Sequence, residues 1–219
     1  MLAILLVLMM ADVPAHPPLE RMELDEVLSC AGDLAKCEAS DWDLARELAR
    51  RFDTAVLAAR LQRASGAQRR VLTFALYVAP SSPEVAGLMK KLSGDRDEEV
   101  AYYALNYRAR RCDRDALATL VAPPYRVRAA CEQWATTVSL VGQCHYVPGG
   151  AFLLSSLEHS CLNVVQAAGA GMRALYPDAP TTFESASHEK EYFKRRVRQG
   201  RPGATDGGHG RQGGGDDRG

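Results

Sequence analysis

A branched or leucine side chain, followed four positions later by a small or apolar one, returns along this chain at a nearly fixed interval. The pairs are Leu44/Leu48, Val71/Ala75, Val100/Ala104 and Val127/Cys131, and their first members lie 27, 29 and 27 residues apart. A spacing of four puts both members on one face of a helix. Each pair sits early in a predicted helix that a second, shorter helix follows. A regular period built from helix pairs predicts an α-solenoid, because each pair can bury its apolar face only against the next. No segment shows the period-two alternation of a half-buried strand, so the fold class is read as all-α.

Helix starts and stops support this reading. Ser40-Asp41-Trp42-Asp43 places an N-cap three residues ahead of an acid, and Asp95-Arg96-Asp97-Glu98 does the same. Ser82-Pro83-Glu84 adds a start with proline in the first turn, followed by Val85, Leu88, Met89 and Leu92 as one apolar stripe. Pro123-Pro124, Pro148-Gly149-Gly150 and Tyr176-Pro177 mark stops.

At Leu92-Ser93-Gly94-Asp95-Arg96-Asp97-Glu98-Glu99-Val100 with Ala104, and at Pro124-Tyr125-Arg126-Val127-Arg128, the chain resembles the short-repeat form of the HEAT-repeat family. Both stretches look like that family's Asp-x-x-Val-Arg signature. Asp97, Val100 and Arg128 fit, whereas Ala101 stands where the arginine belongs and Pro124 and Tyr125 where the aspartate does. The resemblance covers residues 41–144. It implies that aspartate and arginine tie neighbouring repeats together, and that the protein is a binding scaffold for another protein.

Beyond Val127 the next comparable pair, Val164/Ala168, lies 37 residues on, with no breaker between Ala151 and Ala168. Arg126 to Cys144 and Ala151 to Leu175 therefore read as one long antiparallel helical hairpin that caps the array. The expected organisation is a signal peptide over 1–15, a helical cap segment over 16–39 and HEAT-like pairs over 40–124. The capping hairpin follows over 125–177, then a basic segment over 178–199 and a disordered Gly-rich tail over 200–219.

The signal peptide rests on the apolar run Leu2 to Met10 and on Val13 and Ala15, which place cleavage after Ala15. Nine apolar residues do not cross a bilayer, and no later segment offers 18 in a row, so no membrane span is expected. The expected location is periplasmic or secreted. Lys plus Arg and Asp plus Glu total 27 each, which removes the basic field of a dedicated nucleic-acid binder.

Six cysteines in an exported chain argue for disulfides. In an antiparallel hairpin turning near His145 to Gly150, Cys131 and Cys161 straddle the turn and lie side by side. Seven residues of straight helix would hold the Cα atoms of Cys30 and Cys37 about 10.5 Å apart, too far for a bridge. If they pair, the helix must break, and Gly32-Asp33 is the place. By exclusion Cys112 joins Cys144.

Chemistry is harder to find. Cys144-His145 with His159-Ser160-Cys161 could be drawn as a metal or Cys/His site, but His159 and Cys161 are expected on one helix, pointing to different sides. Gly169-Ala170-Gly171 reads as a small-residue packing site. No cofactor is expected, and the leading function is a non-catalytic module for an unknown protein partner, bound near Arg60, Arg63, Lys90 and Lys91 on the shorter helices. The alternatives are a helical enzyme centred on Cys144 and His145, and an anionic-surface binder using Lys190, Lys194, Arg195, Arg196 and Arg198. Those five cations lie in a charged stretch with little to bury.

Overall fold

Helix caps that the sequence announces are formed in the protein. The Ser40 hydroxyl accepts from the Asp43 amide at 3.2 Å while the Asp43 carboxylate accepts from the Ser40 amide at 3.2 Å. The Ser82 hydroxyl accepts from the Val85 amide ahead of a helix whose first residue is Pro83. Further along, Asp97 rather than Asp95 caps the next helix, accepting from the amides of Glu99 and Val100.

The structure, a computed structural model, describes residues 18–123, 125 and 130–200. The signal-peptide region, Val127 and the Gly-rich tail beyond Gly200 lie outside the described residues. Among the described residues there are helices and no strand. The chain divides into two compact units, one ending at Arg108 and the other starting at Ala109.

The first unit holds α1 (Leu24–Ser29), α2 (Leu34–Cys37), α3 (Asp41–Arg51), α4 (Thr54–Leu61), α5 (Gly66–Val78), α6 (Pro83–Leu92) and α7 (Glu98–Ala109). Long and short helices alternate from α3 to α6. Leu44, Leu48, Val71, Ala75, Val100 and Ala104 are all fully buried in one core. Burying a leucine or valine is worth about 1.5–3 kcal/mol, so Leu44, Leu48, Val71 and Val100 contribute to this unit's stability beside Leu28, Leu57, Leu61, Leu72, Leu76 and Met89 of the same core.

Neighbouring long helices of this unit run parallel. Ser81 and Tyr107, 26 residues apart, meet hydroxyl to hydroxyl at 3.1 Å, and the Phe74 ring stacks on Tyr103 at 4.3 Å. At the start of the same helices the Arg69 guanidinium bonds Asp95 at 2.5 Å, and Arg70 lies 3.7 Å from Asp97 and 3.4 Å from Glu99. Trp42 of α3 extends the ring row onto Phe74 at 3.8 Å and remains 41% exposed.

The second unit holds α8 (Arg114–Val121), α9 (Cys131–Gln143), α10 (Gly150–Ser156), α11 (Leu162–Leu175) and α12 (Ala186–Gln199). Here one expectation fails. No long antiparallel hairpin forms, because the apolar stretch after Gly150 breaks over Leu157 to Cys161, where the His159 amide turns back to Ser156 O. The short α10 reverses the chain, and α11 then runs parallel to α9. Cys131 meets Cys161, Gly142 meets Gly171, and the His145 ring bonds Ala174 O, with separations of 30, 29 and 29 residues.

The close approach of α9 and α11 explains the small-residue site. A Cβ on Gly142 would fall 2.6 Å from the Gly171 Cα, closer than side chains come, so α9 needs glycine there, while one on Gly171 would press the Leu153 side chain at 3.1 Å. Gly169, in contrast, faces open space. Helix α12 also departs from expectation, since Phe193 is fully buried beside Tyr176 and Phe183. Burial pushes the Tyr176 phenol above its ordinary value, opposed by the nearby Arg196 guanidinium.

Candidate functional site

Three cysteine pairs are joined: Cys30–Cys37, Cys112–Cys144 and Cys131–Cys161. The first pair depends on the break at Gly32, whose φ of +79° is left-handed and whose amide donates to the Asp41 carboxylate at 2.9 Å. Asp33 then caps α2. With the helix interrupted there, the Cα atoms of Cys30 and Cys37 come within 5.7 Å.

Cys131–Cys161 has the richest surroundings. Cys131 is the first residue of α9 and Cys161 is the N-cap of α11, so two helix N-termini converge on one disulfide. The turn that separates α10 from α11 carries His159, which is therefore not on a helix with Cys161. A ring nitrogen of His159 lies within 4.8 Å of both sulfurs. Its Nδ1 accepts from the Cys161 amide at 3.1 Å, which fixes the turn and leaves the ring proton on Nε2.

Trp134, one turn into α9, supports this arrangement. Its ring packs on His159 at 4.6 Å, and its Nε1–H donates to the Ser156 hydroxyl at 2.8 Å. Ser156 is fully buried and donates in turn to Phe152 O at 2.7 Å. Beside the pair, a groove of about 490 Å³ runs between α9 and α11, lined by Ala135, Thr136, Ser139 and Asn163 among others.

Sequence reasoning missed this grouping of His159 with Cys131 and Cys161. The signal was the polar run Ser155-Ser156 and Glu158-His159-Ser160, which interrupts an otherwise apolar segment. While the two sulfurs are joined, neither can bind a metal, since a thiolate is the ligand.

Cys144 and His145, the groups of the enzyme alternative, both have partners. Cys144 is bonded to Cys112, and His145 Nδ1 lies 2.9 Å from the Ala174 carbonyl, so it must be the donor and closes the last turn of α11. Neither residue joins the His159 cluster, the metal-ligand grouping found among the described residues.

The basic residues separate into paired and exposed ones. Arg60 bonds Asp25 at 2.6 Å, while Arg63, Lys90 and Lys91 are exposed on or just after α4 and α6. On α12, Lys190 pairs with Glu158, Lys194 with Glu191 at 3.2 Å and Arg196 with Asp178 at 2.7 Å. Arg195 and Arg198 are exposed. Three of these five cations are thus paired with neighbouring carboxylates.

Fold and site together define an all-helical protein with three disulfides, in which no helix among the described residues is long and apolar enough to cross a membrane. No family model, curated protein or solved structure matches the chain.

Proposed function

We propose that this protein is an exported, HEAT-like repeat scaffold that binds a protein partner and carries out no catalysis of its own. One observation carries the reading: neighbouring long helices within each unit run parallel, offset by close to one repeat length. That is the local geometry of a helical array. The contacts of Arg69 and Arg70 with Asp95 and Asp97 support the HEAT resemblance, where aspartate and arginine join successive repeats.

The partner face is the shorter helices, with Arg63, Lys90 and Lys91 as its cations, so the partner is acidic. Arg60 is held by Asp25 and contributes less. Exposed surface charge sets encounter rate and partner choice more than affinity. Gly87 on α6 has open space around it and takes a photoreactive side chain without clash. A partner crosslinked from that position and lost in the R63E/K90E/K91E variant, with thermal midpoint unchanged, supports the reading. Unchanged crosslinking in the triple variant overturns the face.

Export is supported by three disulfides, which persist in oxidising compartments. Intact mass of protein from its host is the check. Loss of residues 1–15, with six cysteines that alkylate only after reduction, is the expected result. An uncleaved chain with free thiols overturns it.

A further inference from the structure

The three disulfides sit at opposite kinds of helix end. Cys30 is the C-cap of α1 and Cys37 the last residue of α2. Cys144 is the C-cap of α9, and Cys112 follows the C-terminal end of α7. Cys131 and Cys161 alone join two N-termini, those of helices 13 and 14 residues long.

Helix ends act on sulfur through charge. An N-terminus carries roughly half a positive charge, and a C-terminus the opposite, so a thiolate is favoured at the first and disfavoured at the second. A disulfide whose reduced form is stabilised in this way is the more oxidising one and the easier to open. Cys131 is exposed, as is Cys112, whereas Cys30 is only 1% exposed, so the helix ends and not exposure set Cys131–Cys161 apart from Cys112–Cys144. His159 has a ring nitrogen within 4.8 Å of both sulfurs and accepts the Cys161 amide on Nδ1, which fixes the turn that carries Cys161.

We propose that Cys131–Cys161 is a thiol–disulfide exchange site that accepts electrons from a cysteinyl thiol, while the other two pairs are structural. A substrate thiolate attacks the exposed Cys131 sulfur. The new sulfur–sulfur bond joins substrate to Cys131, the Cys131–Cys161 bond breaks, and its electron pair leaves on Cys161 as thiolate. The N-terminus of α11 holds that charge. A second substrate thiolate then attacks the substrate sulfur of the mixed disulfide and releases Cys131 as thiolate at the start of α9. Two thiols are oxidised to one disulfide, the protein disulfide takes up two electrons, and the two substrate protons pass to water or to the released sulfurs. The groove between α9 and α11, which starts one turn from the sulfurs, gives a cysteinyl peptide a path to Cys131.

This inference goes beyond the scaffold reading and rests on different residues, so its test needs no partner. Full-length oxidised protein is equilibrated in glutathione buffers of graded ratio, quenched in acid, differentially alkylated and mapped by peptide mass. Cys131–Cys161 is expected to open first, with an equilibrium constant for reduction about ten-fold or more above the other two, a gap of about 30 mV. Opening of all three pairs together, or of Cys131–Cys161 last, overturns the proposal.

A second measurement isolates the sulfur. In Cys131→Ser, the Cys161 thiolate followed by ultraviolet absorbance is expected to form about one pH unit or more below the ordinary value near 8.5. Ionisation at or above the ordinary value overturns the exchange site.

Discussion

The two units reach stability by different means. In the first, the repeat positions form an apolar core, and Arg69 with Asp95 and Arg70 with Asp97 hold α5 and α7 together. Its one disulfide closes a loop of 7 residues at the N-terminal end. In the second, two disulfides span 32 and 30 residues, and α9 and α11 touch glycine to glycine. The same helical offset can thus be held either by side-chain packing and ion pairs or by covalent links and close backbone contact. The first route tolerates gradual change, whereas the second fails abruptly when a single atom is added.

Cross-links should give the largest contrast. Loop-closure entropy grows with the logarithm of loop length, so Cys112→Ser/Cys144→Ser is expected to lose about 3.5 kcal/mol and Cys30→Ser/Cys37→Ser about 2.5 kcal/mol. Chemical denaturation of the two variants, read by far-ultraviolet circular dichroism, would measure the gap. Equal losses would mean that the cross-links do not distinguish the units.

Gly142→Ala comes next. The added methyl meets the Gly171 backbone, which cannot rotate away as a side chain could, and the expected cost is about 2 kcal/mol. Hydrogen exchange should show lost protection in α9 and α11 while α3 and α5 keep theirs. A matched change at Gly169, which has open space, should leave stability the same or slightly raised by better helix propensity.

The ion pairs of the first unit should matter less. Arg69→Ala removes a partner of the partly buried Asp95 and is expected to cost about 1 kcal/mol, seen as a lower urea midpoint.

The smallest effect is on acid stability. Burial of Asp95 raises its pKa, but the Asp97 amide, the Arg69 guanidinium and the Arg96 amide outweigh that and leave it below the ordinary aspartate value. Its folded pKa is depressed, so its contribution is present above the ordinary value near 3.8 and is lost as pH falls through the folded value. Asp43 behaves alike, lowered first by its bond from the Ser40 hydroxyl. Asp95→Asn is therefore expected to flatten the acid limb of the first unit's stability curve, measured as urea midpoint against pH.

Much of the architecture was legible in the chain. Caps at Ser40 and Ser82, the buried pairs from Leu44 to Ala104 and the break at Gly32 follow from local chemistry, because a cap or a left-handed glycine acts within a few residues, whereas the cap read at Asp95 lies at Asp97. The pairing of Cys131 with Cys161 is more instructive. An antiparallel hairpin about residue 147 and a parallel offset of 30 both place these residues together, so the right pair followed from the wrong direction of α11. What separates the two arrangements is Gly142 on Gly171 and His145 on Ala174, both offset by 29.

Local sequence determined that the chain is helical, where many of its helices begin, and that its cysteines can pair. Tertiary structure alone decided the direction of α11, the approach of His159 to two sulfurs and the docking of α12 through Phe193. The reason is one of range. Helix propensity and capping act over about a turn, and the apolar segment after Gly150 satisfies them as one continuous helix. The break becomes favourable only when α10 can return along α9, where Ser156 finds the Trp134 indole and the two glycines let the backbones meet.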